Sequence, residues 1–214
     1  MIRAVLFDLD GTLADTAADL GYALNVQLQR HGRQALPMEL IRRHASAGTP
    51  GLIKLGFNSG PQDHNFAALR SEYMRLYEDN LCRQTTLFPG IAELLDTLEE
   101  RRLIWGIVTN KPQRFTVPLV KQLGIFERAG CVVSGDSVPR PKPHPDSLCQ
   151  AAKELAIEPE QALYVGDDER DMQAATAAGM PKIIAGYGYL SDGSHPENWG
   201  APIINYPAQV LNFL

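Results

Sequence analysis

Apolar positions come in two periods along this chain. Ile2 to Phe7 form a nearly continuous apolar run, and similar runs occur at Ile104–Val108, Cys131–Ser134, Ala162–Val165 and Lys182–Ala185, with a short pair at Ile203-Ile204. Runs of this length, apolar on both faces, predict buried strands. Between them the period lengthens. Ile91, Leu94, Leu95 and Leu98 recur at helical spacing, as do Val117, Val120 and Leu123, which end at Gly124. Leu148, Ala152 and Leu155 form a further stripe, and Met172, Ala175 and Ala178 another, closed by Gly179. Glycine belongs just past a helix C-terminus, where a left-handed conformation satisfies the last carbonyls. Strands alternating with helices in this way predict an α/β fold, a doubly wound parallel sheet covered on both faces.

The stretch from Thr16 to Phe88 breaks the alternation. Leu20, Leu24 and Leu28 make one helical face, and Phe66, Leu69, Tyr73, Leu76 and Tyr77 another, with no strand pattern. Because one strand precedes this block and the others follow it, it reads as a helical insertion. The expected division is a core of residues 1–15 and 89–214 and an inserted helical domain of residues 16–88, with turn-prone boundaries at Thr16 and at Pro89-Gly90.

Composition narrows the class. The chain has 214 residues, 44% hydrophobic and 21% charged, which allows a substantial core without disulfides. A net charge of −5 argues against a nucleic-acid partner, which requires a basic face. No apolar run approaches the roughly 20 residues that span a bilayer, and the first apolar run, broken at Asp8, is not a signal peptide. Cys82, Cys131 and Cys149 have no paired spacing and read as reduced, mostly buried thiols of a cytoplasmic protein.

The candidate chemistry lies where strand runs end. The first runs into Asp8-Leu9-Asp10-Gly11-Thr12-Leu13. Residues i and i+2 of an extended chain face the same side, about 7 Å apart, and two carboxylates so placed repel by about 2 kcal/mol at an effective dielectric near 20. A divalent cation is the simplest countercharge. Later runs end at Thr109-Asn110, before the Pro139–Pro145 loop carrying Lys142, and at Asp167-Asp168 followed by Asp171. Ligands of open parallel sheets bind beyond the carboxyl ends of the strands. Asp8, Asp10 and Asp167 supply hard oxygen atoms suited to Mg2+, while Thr109 and Lys142 suit phosphoryl oxygens. Helix capping is the plainer role for Asp167 and Asp171, and a turn or surface loop for Thr109 and Lys142. His31, His44, His64 and His195 show no ligand spacing.

With these positions in view, the chain resembles the haloacid dehalogenase-like phosphohydrolases in four ordered motifs. They are Asp8–Leu13, Val108–Asn110, the Arg-Pro-Lys-Pro-His-Pro run around Lys142, and Val165–Asp171. The resemblance implies a Rossmann-like core with a C1-type helical cap. It implies Asp8 as nucleophile forming an aspartyl-phosphate and Asp10 as general acid and then base. Mg2+ would be held by the carboxylates of Asp8 and Asp167 and by the backbone carbonyl of Asp10. Thr109, Asn110 and Lys142 would bind phosphate, with Asp171 and Asp168 in support. Ser46 and Gly48 resemble a cap loop that reaches the substrate, and Tyr187-Gly188-Tyr189 and Trp199-Gly200 resemble further substrate-contacting stretches. An acid at Asp10 favours phosphoesters over halides, since an alkoxide needs a proton on departure.

The expected partner is a small phosphorylated metabolite, with no membrane or nucleic acid, and the expected assembly is a monomer or weak homodimer. The chain is similar to phosphoglycolate phosphatases and also to N-acetylmuramic acid 6-phosphate phosphatases. A sugar phosphomutase, a phospho-acceptor signalling module and a non-catalytic scaffold remain alternatives on the same residues.

Overall fold

In the computed structural model, which describes residues 1–191 and 193–214, the chain opens with strand β1 (Ala4–Phe7) at the centre of a six-stranded parallel sheet. A short strand β2 (Ala14–Asp15) follows, then helices α1 (Ala17–Arg30), α2 (Met38–Arg42), α3 (Gly48–Phe57) and α4 (Phe66–Glu78). Strand β3 (Thr86–Leu87) pairs antiparallel with β2 and returns the chain to the sheet. The remainder alternates as α5 (Ile91–Glu100), β4 (Ile104–Val108), α6 (Gln113–Gln122), β5 (Val132–Val133), α7 (Asp146–Glu154), β6 (Ala162–Gly166), α8 (Glu169–Ala178), β7 (Lys182–Ala185) and β8 (Ile203–Ile204).

The sheet order is β5-β4-β1-β6-β7-β8. From β1 the chain builds first toward β4 and β5, then crosses back to β6 and onward, so the strand order reverses around β1. The pleat divides the core in two. Val5 and Phe7 of β1, with Leu163 and Val165 of β6, pack with Leu94, Leu95 and Leu119 from α5 and α6. Ala4 and Leu6, with Ala162 and Tyr164, face Leu148, Ala152, Met172 and Ala175 from α7 and α8. Helices therefore cover both faces, as strands apolar throughout require.

Three details depart from expectation. Strand β3 falls inside the block read as strand-free, because two residues carry no period. In α6 the buried face is Phe115, Thr116, Leu119 and Val120, at i, i+1, i+4 and i+5, and Val117 lies off that face, only partly buried. Cys131 is buried, but Cys82 is half-buried and Cys149 exposed, on the outer side of α7. Helix α7 buries Leu148, Ala151 and Ala152, and Cys149 is one residue off that face.

The helical block is tied down by polar groups as well. Asp19, fully buried in α1, accepts hydrogen bonds from the Gln84 and Thr85 amides, the Thr85 hydroxyl and Asn80. It anchors the segment leading into β3.

Candidate active site

Strand β1 ends at Phe7, and the chain turns at once through Asp8, Leu9 and Asp10. Gly11 has φ +88°, and a Cβ there would sit 2.1 Å from Asp167 Oδ2. This glycine lets the first loop pass close over the carboxylate that follows β6. Gly188 is constrained the same way, because its Cβ would meet the Gly11 carbonyl oxygen at 2.2 Å. Asp167 is thus enclosed by backbone. It accepts hydrogen bonds from the Thr12 hydroxyl (3.2 Å), the Tyr189 amide (2.7 Å) and the Ser46 hydroxyl (3.0 Å).

Asp8, Asp167 and Asp171 each bring a carboxylate oxygen within 4.8 Å of the others, all three buried. Lys142, 4% exposed, meets this cluster from beneath. Its ammonium donates to Asp8 Oδ1 (2.8 Å), to Asp171 Oδ1 (2.6 Å) and to the Val108 carbonyl (3.1 Å), and lies 2.8 Å from the Tyr164 hydroxyl. Burial pushes Asp8 up to about 7 despite Lys142, with Asp171 adding to the rise. Burial, then the charges of Asp8 and Asp171, hold Asp167 well above the ordinary carboxylate range. Burial alone would lower Lys142, but Asp171 and Asp8 keep it above its usual value.

With all three carboxylates ionised, the one ammonium would leave two negative charges uncompensated. The donors are hard oxygens, so a divalent cation fits the cluster on charge and on chemistry.

Asp10 lies elsewhere. Its carboxylate accepts from the Thr16 hydroxyl (2.6 Å) and from the Lys111 ammonium (2.7 Å), and its side chain is not part of the three-carboxylate cluster. The i, i+2 spacing predicts two aspartates facing the same side of one extended strand. The turn after Phe7 separates them, and the countercharge of Asp10 is a lysine. Burial would depress Lys111, yet Asp10 holds it well above the normal lysine value.

The other expected residues gather here too. Thr109, after β4, is buried, and its hydroxyl accepts from the Lys111 amide (3.1 Å). Its hydroxyl hydrogen has no acceptor among the described residues. Asn110 exchanges two hydrogen bonds with the Lys142 backbone (2.8 and 2.9 Å), so its side chain braces the lysine loop. Asp168 caps α8, accepting from the Arg170 amide, while Asp171 accepts from the Asp168 amide. Capping and cluster membership coexist in Asp171.

A cavity of about 270 Å³ opens above these groups, between sheet and helical block. Asp8, Asp10, Thr109 and Lys142 line it from the sheet side, and Ser46, Gly48, Tyr73 and Tyr77 from the helices. Tyr187, Gly188, Tyr189 and Trp199 are not among its lining residues. Tyr189 braces Asp167 through its amide and Asp15 through its hydroxyl (2.7 Å), and Tyr187 donates to the Thr12 carbonyl.

Lys111, Tyr164 and Arg170 were not singled out from the sequence. Lys111 carried a usable signal: it lies just beyond a strand run and, like Lys142, precedes a proline. Arg170 pairs with Asp168 and donates to the Ser46 carbonyl at 2.5 Å, joining helix α8 to the helical block. Nothing local marks Tyr164, an ordinary inward residue of a strand.

The family model for haloacid dehalogenase-like hydrolases matches residues 5–185, from the first strand through β7. The chain belongs to this family. Among similar haloacid dehalogenase-like hydrolases is an N-acetylmuramic acid 6-phosphate phosphatase of Pseudomonas putida, 40% identical over 98% of this chain and 94% of its own length. A phosphoglycolate phosphatase of Xanthomonas campestris pv. campestris is 38% identical, over 97% of this chain and 94% of the relative. A crystal structure named as a predicted phosphoglycolate phosphatase from Haemophilus somnus superposes with a TM-score of 0.87 at 25% identity, covering 99% of this chain and 97% of that one.

Proposed function

We propose that this haloacid dehalogenase-like hydrolase is a Mg2+-dependent, phosphoglycolate phosphatase-like enzyme that cleaves a small phosphomonoester through an aspartyl-phosphate. The observation that carries this reading is the cluster of Asp8, Asp167, Asp171 and Lys142, of which Asp8, Asp171 and Lys142 line the cavity, with Asp10 beside them.

Asp8 lines the cavity and carries the carboxylate that attacks phosphorus, while the bond to the ester oxygen breaks. Asp10, on the same wall, gives that oxygen its proton. Water then attacks the phosphorus of the aspartyl-phosphate, Asp10 takes a proton from it, and phosphate leaves with Asp8 restored. Lys111 and Thr16 hold the Asp10 carboxylate in place for both transfers. Thr109 offers its free hydroxyl hydrogen, and Lys142 its charge, to the phosphoryl oxygens. Asp8 and Asp167 would hold the cation, with Asp171 orienting Lys142; when bound, Mg2+ neutralises phosphoryl charge.

The relatives' names suggest two substrates, 2-phosphoglycolate and N-acetylmuramic acid 6-phosphate. The second is favoured by the 40% identity and by a cavity roomier than a two-carbon ester fills. Phosphate release from p-nitrophenyl phosphate with Mg2+ tests the chemistry: Asp8→Asn abolishes it, and retained turnover in that variant rules the nucleophile out. A comparison of kcat/KM for the two named esters decides between them.

A further inference from the structure

Three cations near the cavity floor are committed to carboxylates: Lys142 to Asp8 and Asp171, Lys111 to Asp10, and Arg170 to Asp168. A fourth is not. Arg70 lines the cavity from α4 and makes no hydrogen bond or ion pair within the described residues. It belongs to one face of that helix, with Tyr73, Met74 and Tyr77 at i+3, i+4 and i+7, and all four residues line the cavity. Tyr77 is the inner end of the row. Its ring lies 4.8 Å from the Lys111 ammonium that holds Asp10, and its buried hydroxyl has no hydrogen-bond partner among the described residues. Arg70 is two turns away, roughly 10 Å along the axis.

We infer that Arg70 is a specificity residue that binds a carboxylate at the end of the substrate remote from its phosphate. An unpaired guanidinium at the rim of an acidic site is an anion receptor, and its planar fork matches a carboxylate in two parallel hydrogen bonds. A single such group balances one negative charge; a second phosphate would need more donors than this helix face offers. The separation along α4 makes the substrate an elongated one. A two-carbon acid ester holds its carboxylate too close to phosphorus to use Arg70 fully, whereas a hexose 6-phosphate with an acidic substituent across the ring has the required length. The substrate class is therefore a sugar-acid phosphomonoester. Met74 and Tyr73, between the two polar ends, offer an apolar wall to the ring.

The inference rests on the phosphatase reading for its choice of ligand, and the test separates the two. Binding is measured by calorimetry with Mg2+ in an Asp8→Asn background, where turnover does not interfere. The probes are N-acetylmuramic acid 6-phosphate and N-acetylglucosamine 6-phosphate, which differ by the acidic substituent. The acid binds more tightly by roughly 10- to 100-fold, the range of a charge-assisted hydrogen bond. Arg70→Met brings the two within about threefold, and Arg70→Lys retains part of the difference, because charge survives without the fork. The pair 2-phosphoglycolate and 2-hydroxyethyl phosphate shows a smaller preference. Equal binding of the two sugar phosphates, binding of neither, or a preference that survives Arg70→Met overturns the inference. Arg70 is exposed, so an unchanged melting temperature in its variants excludes a folding effect. Failure of the phosphatase reading has a different sign, namely p-nitrophenyl phosphate turnover that is independent of Asp8.

Discussion

Asp8 and Asp10 are two positions apart and have opposite surroundings. Asp8 is buried against Asp167 and Asp171 with Lys142 beneath, whereas Asp10 is bracketed by Thr16 and Lys111. That division suits a nucleophile, whose own charge attacks, and an acid–base group that must exchange protons with ligand. If Asp10 protonates the leaving oxygen, Asp10→Asn lowers kcat for an alkyl phosphate by about 100- to 10,000-fold. In kcat/KM, which reports only the transfer to Asp8 and not the shared hydrolysis step, p-nitrophenyl phosphate loses much less than the alkyl ester, because its leaving group needs no proton; equal losses in kcat/KM on the two esters would remove Asp10 from the acid role. Lys111→Met leaves Asp10 without its countercharge, and steady-state kinetics then show a loss in kcat of about tenfold or more, with less change in KM. The proline after each lysine was visible along the chain, but only Lys142 was singled out. What separates the two is which carboxylate each meets, Asp10 being 101 positions from Lys111 and Asp8 134 positions from Lys142.

Among the elements, the two glycine loops over Asp167 and the β2–β3 ribbon do the positioning. A methyl group at Gly188 would push on the Gly11 carbonyl, which is backbone and cannot yield cheaply. Gly188→Ala therefore displaces Asp167, and its effect is weaker Mg2+ binding in a titration together with a lower melting temperature. Asp19→Ala tests the return path: it strands the Thr85 amide and hydroxyl in the interior and leaves the part-buried Gln84 amide without its acceptor. Leaving buried donors unpaired costs about 1–3 kcal/mol each, so chemical denaturation registers a loss of at least about 2 kcal/mol. The helices and long strands were legible because their periods repeat over ten or so residues. The ribbon was not, since two-residue strands have no period, and Tyr164 was not, since its hydroxyl finds Lys142 only across the fold.

For the molecule as a whole, the acidic cluster links stability to pH and to cation. Asp8 and Asp167 titrate higher in the folded chain than in the unfolded one, so the folded state binds more protons between about pH 4 and 7. Their contribution to stability is present below the unfolded value and is lost as pH rises through the folded one, near 7 for Asp8. A divalent cation takes the deprotonated form and reverses the loss. Mg2+ at about a hundred times its dissociation constant therefore raises the melting temperature by roughly 5–10 °C at pH 7.5, and by far less at pH 5. A Mg2+ effect that is the same at both values contradicts the shared cluster.

Local chemistry along the chain was enough to establish the α/β alternation, the interrupting helices, and carboxylate, hydroxyl and ammonium groups at successive strand ends. Periodicity and turn chemistry are properties of neighbouring residues, so they survive in a linear reading. Pairing does not. Only the folded chain decided that Asp171 joins Asp8 and Asp167 while the Asp10 side chain turns to Lys111, that Ser46 reaches Asp167, and that Arg70 is left without a partner among the described residues. Those outcomes depend on distances between residues far apart along the backbone, and the tight turn after β1 and the helical block seated against α8 set those distances.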